Sequence, residues 1–178
     1  MTTPLELDDS TLGGSTLDAA AFKGVFRQHP AGVVVITATV EGRPVGFTAT
    51  SLISVSADPP LLAFSVDAAS SAWRAMADAS SLVVNFLTAD QADVSARFAT
   101  SGIDRIATTD WFSLPTGEPV LAGTGAWVRG EIVQRTPVGR SVLVSVLARG
   151  SGTGEEPRTS PLVYHDRRYH GIGEHTAL

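Results

Sequence analysis

Gly46-Phe-Thr-Ala-Thr-Ser-Leu-Ile-Ser-Val-Ser-Ala-Asp-Pro-Pro60 is the most informative segment of this 178-residue chain. Four hydroxyl side chains alternate there with apolar ones, at Thr48, Thr50, Ser54 and Ser56. This alternation predicts a strand with one row of short hydrogen-bonding groups along a single face. The polarity shifts register at Ser51-Leu52, which predicts a bulge. Two interpretations are open: an ordinary half-exposed strand of a sheet, or a strand that binds a flat heterocycle with polar edges.

Strands are predicted on both sides of this segment. Apolar, β-branched runs cover 32–40, 61–66, 82–87, 126–135 and 141–149, and a last strand spans 162–172. Glu41-Gly42 predicts a hairpin turn, after which a return strand begins at Val45. Because only short helices separate these strands, we expect a mainly β fold, an antiparallel Greek-key barrel with short helical insertions.

Three short helices are predicted between the strands. The first covers 17–29, with Asp18 near its start and Pro30 ending it. Ser70 or Ser71 caps the second, and Thr88-Ala-Asp-Gln91 forms a capping box for the third, which runs to about residue 99. Residues 1–17 are predicted to be a flexible arm, 18–173 a single domain and 174–178 a tail.

Composition excludes several classes of protein. The net charge of −5 is opposite to that expected of a nucleic-acid or anionic-membrane binder. The absence of cysteine excludes disulfides, thiolate metal sites and thiol catalysis. His165 and His170 would point to opposite faces of one strand, so no metal site is predicted. The N-terminus lacks the features of a secretory signal, which predicts a cytoplasmic protein.

Seven short motifs resemble, in order and spacing, those of the flavin reductase-like family. They are Pro30-Ala-Gly-Val-Val-Val-Ile-Thr37, Gly46-Phe-Thr-Ala-Thr-Ser51, Ser54-Val-Ser-Ala-Asp-Pro-Pro60, Val84-Asn-Phe-Leu87 with Gln91, Arg97-Phe-Ala99, Pro119-Val-Leu121 and Pro161-Leu-Val-Tyr164. Members of this family are FMN-binding split barrels that act as reductase partners of two-component monooxygenases. The resemblance implies that this chain transfers hydride from NAD(P)H to FMN, with FAD as a possible alternative flavin.

The resemblance also implies a set of cofactor-binding residues. The segment Thr48, Ala49, Thr50 and Ser51 would contact the isoalloxazine edge and ribityl chain, and Ser65, Val66 and Asp67 would line the ring. Ser71, Arg97 and Phe98 would hold the phosphate end, and the buried amide of Asn85 needs a partner that is either the flavin or a backbone group. No side chain is expected to act as a catalytic acid or base, because hydride passes between cofactors.

One departure from the family pattern concerns the electron donor. Where the family commonly has Gly-Asp-His, this chain has Gly139-Arg140-Ser141. Arg140 and Ser141 are therefore candidates for the nicotinamide side, with Tyr169 and His170 as replacement groups. The family also implies a homodimer, for which Trp111, Phe112 and Trp127 are candidate interface or core residues.

The sequence leaves three functions open. The first is an NAD(P)H:FMN oxidoreductase with a separate monooxygenase partner. The second is a flavoprotein of the same fold that does not use free NAD(P)H, such as a flavin carrier or an enzyme that acts on another substrate. The third is a barrel without flavin that binds haem or a partner protein, with His165 or His170 as the haem ligand to test.

Overall fold

The computed structural model describes residues 16–154 and 160–177 as a mainly β protein with three α-helices. The strands are β1 Ala31–Gly32, β2 Val34–Val40, β3 Arg43–Ala49, β4 Ile53–Ala57, β5 Pro60–Asp67, β6 Ser81–Phe86, β7 Trp111–Ser113, β8 Pro119–Leu121, β9 Ala126–Val138, β10 Ser141–Thr153, β11 Leu162–His165 and β12 Arg168–Gly171. The helices are α1 Ala19–Arg27, α2 Ser71–Met76 and α3 Ala92–Ala99.

Seven antiparallel strands form the main sheet, in the order β3-β2-β6-β9-β10-β5-β4. Strands β3 and β4 are therefore consecutive in sequence but lie at opposite edges, and residues 50–52 cross between the two edges. The sheet curls so that Ser51, in this crossing, bonds to Ser65 on β5. This arrangement confirms an antiparallel barrel that is split at one seam.

The crossing corrects two predictions for the segment 46–60. The predicted bulge at Ser51-Leu52 is wrong, because the chain leaves one sheet edge there, and the register shift lies instead between Ser54 and Ser56 on β4. A single row of hydroxyls is also wrong. Thr48 lies near the end of β3 and Thr50 directly after it, whereas Ser54 and Ser56 lie on the opposite edge strand.

The hairpin between β2 and β3 confirms the turn predicted at Glu41-Gly42. Both residues have positive φ, 52° and 75°, as a two-residue type I′ turn requires. The return strand begins at Arg43, two residues before the predicted start. The predicted strand 32–40 is interrupted at Val33, which bonds to Leu162 and Leu87 outside the main sheet.

Two apolar cores lie on the two faces of β2. Val34 and Ile36 point into the barrel interior, where α2 contributes Trp73 and Met76. Val33 and Val35 belong to a second cluster with Phe98 of α3 and with Leu121 and Leu162. Because β2 is buried on both faces, its sequence is an almost unbroken apolar run rather than an alternating one.

The three predicted helices are present with the predicted types of cap. Asp18 Oδ1 accepts hydrogen bonds from the amides of Ala20 and Ala21, and Ser70 caps α2. Thr88 and Gln91 form the capping box, and the short 3₁₀ turn Ala89–Gln91 leads directly into α3. In the described part of the chain, no helix is long and apolar enough to cross a membrane.

The C-terminal segment differs from the single strand predicted for 162–172. Strands β11 and β12 form a hairpin whose turn residues, Asp166 and Arg167, have φ values of 44° and 62°. The hairpin places the rings of His165 and His170 5.9 Å apart, so the prediction that they lie on opposite faces is wrong. Strand β10 continues to Thr153, four residues beyond the predicted end at 149, and 155–159 lie outside the described residues.

Candidate functional site

A groove of about 380 Å³ lies where the end of β3 meets β5 across the seam of the barrel. Eight of the eleven predicted cofactor-side residues line it: Thr48, Ala49, Thr50, Ser51, Ser65, Val66, Asp67 and Phe98. The remaining lining residues were not predicted, and they are Phe47, Ser70, Ala72, Ala99, Ser101 and Arg105. The structure therefore brings together the two strand segments that the sequence singled out.

The crossing between the sheet edges supplies hydrogen-bonding groups to this groove. Ser51 Oγ donates to the carbonyl oxygen of Ser65 (2.8 Å) and accepts from its amide (3.1 Å), which fixes the crossing against β5. Residues 50–52 are outside the strand ladders, and no described residue accepts a hydrogen bond from their amides. Free amides and short hydroxyls at one edge suit the polar rim of a flat heterocycle.

Helix α3 forms the opposite wall through Phe98 and Ala99. Thr48 Oγ1 donates to the carbonyl oxygen of Ser95 (2.7 Å), which ties the end of β3 to the helix. The Phe98 ring packs beneath β3, where a side chain at Gly46 would meet it at 2.9 Å and would meet the Ile36 carbonyl oxygen at 2.8 Å. The close approach of helix and strand thus requires glycine at position 46.

Arg105 is the cationic side chain that lines the groove. Its Nε donates to the Thr100 carbonyl oxygen (2.7 Å), and Nη1 donates to that of Gly46 (3.2 Å). These bonds hold the guanidinium at the groove, while Nη2 has no acceptor among the described residues. An arginine held in this way can donate to a phosphate oxygen.

Arg97, the predicted phosphate ligand, does not line the groove. Its Nη1 donates to the Thr108 carbonyl oxygen (2.8 Å) and to Thr109 Oγ1 (2.9 Å), and Nη2 lies 3.6 Å from Asp93. Arg97 therefore holds the loop after α3, the same loop that carries Arg105. The sequence held no periodic signal for Arg105, because it lies in an irregular loop whose path follows from these contacts.

Asn85 also lies outside the groove. Its side-chain nitrogen donates to the Val35 carbonyl oxygen and to Thr37 Oγ1, both at 3.0 Å, and its oxygen accepts from the Leu121 amide at 2.9 Å. The side chain is fully buried. The sequence left open whether this amide bonds to a flavin or to a backbone group, and the structure shows backbone partners.

Ser71 lies just beyond the groove. Ser70 is the residue that caps α2 and lines the groove, whereas Ser71 is the first helical residue and faces a neighbouring cavity. The sequence singled out Ser71, whereas its neighbour Ser70 is the serine that lines the groove.

The four candidates for the nicotinamide side fall in two places. Arg140 and Ser141 follow Gly139 (φ 58°) in the turn between β9 and β10, and Ser141 pairs with the groove residue Asp67. Tyr169 shares a 2.9 Å hydrogen bond with Ser95 of α3 and packs on Tyr164. His170 faces His165. Of the four, only Ser141 is paired in the described strands with a residue that lines the groove.

A second polar cluster lies on another part of the barrel. Burial alone would raise the pKa of Glu118, but hydrogen bonds from Ser81, Thr116, Arg129 and its own backbone outweigh burial and lower it from 4.5 to about 2. Arg129 Nη2 lies 2.9 Å from the carboxylate, and both side chains are mostly buried. This ion pair joins β9 to the chain before β8.

Comparisons with known proteins identify the relatives of this chain. Residues 26–173 match the family model described as flavin reductase like domain. An NADH:FMN oxidoreductase of Rhodococcus qingshengii is 42% identical over 155 residues, which cover 85% of this chain and 81% of that protein. The reductase subunit HsaB of a flavin-dependent monooxygenase from Rhodococcus jostii is 30% identical over 92% of this chain and 83% of its own.

Solved structures show the same architecture. A homologue of nitrilotriacetate monooxygenase component B from Mycobacterium thermoresistibile superposes with a TM-score of 0.84 at 31% identity, with 89% of each chain covered. A flavin reductase domain protein from Arthrobacter superposes with a TM-score of 0.82 at 34% identity, over 88% of this chain and 96% of that one.

Proposed function

The chain belongs to the flavin reductase like domain family, and from that membership we propose that it reduces FMN with NAD(P)H and supplies reduced flavin to a separate monooxygenase. The observation that carries the proposal is the groove at the barrel seam. Eight residues that the sequence motifs imply as flavin ligands come from distant points of the chain and converge on one cavity of about 380 Å³. Their donors match the polar edge of an isoalloxazine ring.

Each part of the groove has a role in this proposal. The amides and hydroxyls of residues 48–51 hold the ring edge and ribityl chain, and residues 65–67 lie along the ring. The phosphate lies near Arg105, which takes the place predicted for Arg97. A flavin held by these residues would supply the acceptor for the hydride of NAD(P)H, and solvent would supply the proton that accompanies the hydride. The protein aligns the two cofactors and needs no acid or base of its own.

The direct test of function is spectroscopic. We expect the purified protein, mixed with FMN under anaerobic conditions, to lose flavin absorbance when NADH or NADPH is added, and expect one donor to act faster. A protein that binds no FMN would contradict flavin binding itself. Buffer with free FMN and the nicotinamide nucleotide serves as the control for the uncatalysed reaction.

A specific observation supports the second function, a flavoprotein that does not use free NAD(P)H. Gly139-Arg140-Ser141 replaces the family's Gly-Asp-His, and neither Tyr169 nor His170 lines the groove. The same experiment separates the two functions, because FMN that stays bound and oxidised in the presence of both donors would favour the second.

We further propose a homodimer. The edge strand β4 exposes Ile53 and Val55, and beside it an apolar depression of about 490 Å³ includes Phe86. A second copy of this chain would cover the strand edge and these side chains. Sedimentation of the wild type and of Val55→Glu tests this, since the substitution should favour the monomer. Phe112 and Trp127, which the sequence offered as interface or core residues, line a different depression. Because NAD(P)H and free FMN are cytoplasmic, the proposed location is the cytoplasm.

A further inference from the structure

The depression beside Phe112 and Trp127 has a volume of about 530 Å³. It shares no lining residue with the groove at the barrel seam or with the depression beside β4. Its volume lies within the range of about 300 to 1,000 Å³ that is typical of small-molecule sites. The depression is therefore a separate cavity, large enough for a ligand that contains a ring.

Two aromatic side chains from different strands border this cavity. Phe112 on β7 is 51% exposed. Trp127 on β9 lies across Gly152 of β10, where a Cβ atom would meet the indole at 2.6 Å. This glycine lets the indole lie close against the sheet, and the ring also lines the cavity. Val120 and Leu121, each 1% exposed, add apolar surface.

Asp90 is the one charged side chain among the described residues that line the cavity. Its Oδ1 accepts a hydrogen bond from Thr88 Oγ1, and no described residue donates to Oδ2. A carboxylate with a free oxygen attracts a cation and repels an anion. The faces of aromatic rings also attract cations, because the ring quadrupole places negative charge there.

The hydrogen-bonding groups of the lining restrict the kind of cation. The carbonyl oxygens of Leu121 and Ala122 already accept bonds from Thr124 Oγ1 (3.2 Å) and Gln91 Nε2 (2.9 Å). A primary ammonium or a guanidinium group has several N–H donors, each of which needs an acceptor. A quaternary nitrogen has none, so aromatic faces and one carboxylate are sufficient to bind it.

We propose that this cavity binds a quaternary ammonium cation that carries a ring. The charged nitrogen lies near Asp90 and the ring faces of Phe112 and Trp127, and the ring of the ligand covers Val120 and Leu121. The proposal goes beyond the proposed function and does not rest on it, because the cavity and the flavin groove have no residue in common.

Isothermal titration calorimetry with two probes tests this site. Benzyltrimethylammonium is the cationic probe, and benzyl alcohol is a neutral probe with the same ring. Asp90→Asn removes the carboxylate, and Phe112→Leu removes an aromatic face. The matched controls are Asp93→Asn and Trp111→Leu, which make comparable changes at exposed neighbouring sites outside the cavity. Circular dichroism checks that each variant folds.

We expect the wild type to bind the cation about tenfold more tightly than benzyl alcohol. Asp90→Asn should weaken binding of the cation about fivefold and Phe112→Leu about threefold, while both controls bind it as the wild type does. Absence of cation binding, equal affinity for the two probes, or equal losses in the controls would each overturn the proposal. The titrations contain no flavin, so their result is independent of whether the groove binds FMN.

Discussion

Ser51, in the crossing between the edge strands β3 and β4, forms a reciprocal pair of hydrogen bonds with Ser65 on β5. The hydroxyl of Ser51 donates to the carbonyl oxygen of Ser65 and accepts from its amide, at 2.8 and 3.1 Å. This pair closes the seam at the place where the groove forms. It therefore couples the stability of the barrel to the shape of the candidate flavin site.

Replacement of Ser51 by alanine removes both bonds at once. We expect Ser51→Ala to lower the free energy of unfolding by about 1 kcal/mol and to raise the FMN dissociation constant about five-fold, since the crossing loses its anchor. Urea unfolding and fluorescence titration measure the two effects. Ser54→Ala, at an exposed site on β4 outside the groove, is the control and should change neither quantity.

The two arginines near α3 are expected to behave differently. Arg105→Ala should weaken FMN binding by about 1.5 to 3 kcal/mol while hardly affecting riboflavin, which lacks the phosphate. Arg97→Ala removes contacts to Thr108 and Thr109 and should weaken both ligands equally by loosening the loop. The reverse pattern, with FMN selectively weakened only in the Arg97 variant, would restore Arg97 as the phosphate ligand.

Tyr169 tests whether the C-terminal hairpin takes part in nicotinamide binding. Tyr169→Phe keeps the ring against Tyr164 but loses the bond to Ser95, so stability should fall by about 1 kcal/mol. The KM for NADH should stay within about twofold of the wild-type value, because the side chain does not line the groove. A large rise in KM without loss of stability would place Tyr169 at the nicotinamide.

The lowered pKa of Glu118 predicts that the free energy of unfolding depends on pH. Its pKa in the folded chain, about 2, lies below its ordinary value of 4.5, so the folded state binds fewer protons than the unfolded state between these values. The stabilisation is therefore complete above pH 4.5 and is lost as the pH falls toward 2. Glu118→Gln should cost about 2 to 3 kcal/mol at pH 7, where the buried Arg129 loses its partner.

Urea unfolding between pH 7 and pH 3 measures this dependence. The difference in unfolding free energy between the wild type and Glu118→Gln should narrow as the pH falls, because the carboxylate of the unfolded wild type takes up a proton while that of the folded protein is still ionised. A difference that stays constant over this range would show that Glu118 does not titrate with a lowered pKa.

The local features of this fold were predictable from the sequence, and the long-range crossing was not. The cap at Asp18, the turn at Glu41-Gly42 and the capping box at Thr88 depend on a few adjacent residues, and all are present. Residues 46–60 have strand propensity almost throughout, so the sequence predicts one continuous strand. Strand propensity does not show that its two halves join opposite edges of the sheet. The turn at Asp166 was missed because neither it nor Arg167 is glycine.

The site was predictable where strands carry it and unpredictable where loops do. Residues 48–49 and 65–67 converge on the groove because antiparallel pairing fixes their positions, and residues 50–51 continue directly from the end of β3. Arg105 was missed because a loop folded by side-chain contacts determines where it lies. Asn85 and Arg97 have the hydrogen-bonding groups expected of flavin ligands, but their side chains bond to other parts of the fold.

A crystal structure of the protein with FMN tests the central claim most directly. We predict that the isoalloxazine lies between residues 48–51 and residues 65–67, with the phosphate within hydrogen-bond distance of the Arg105 guanidinium. Flavin bound elsewhere, for example in the depression beside Phe112 and Trp127, would contradict the assignment of the groove at the barrel seam.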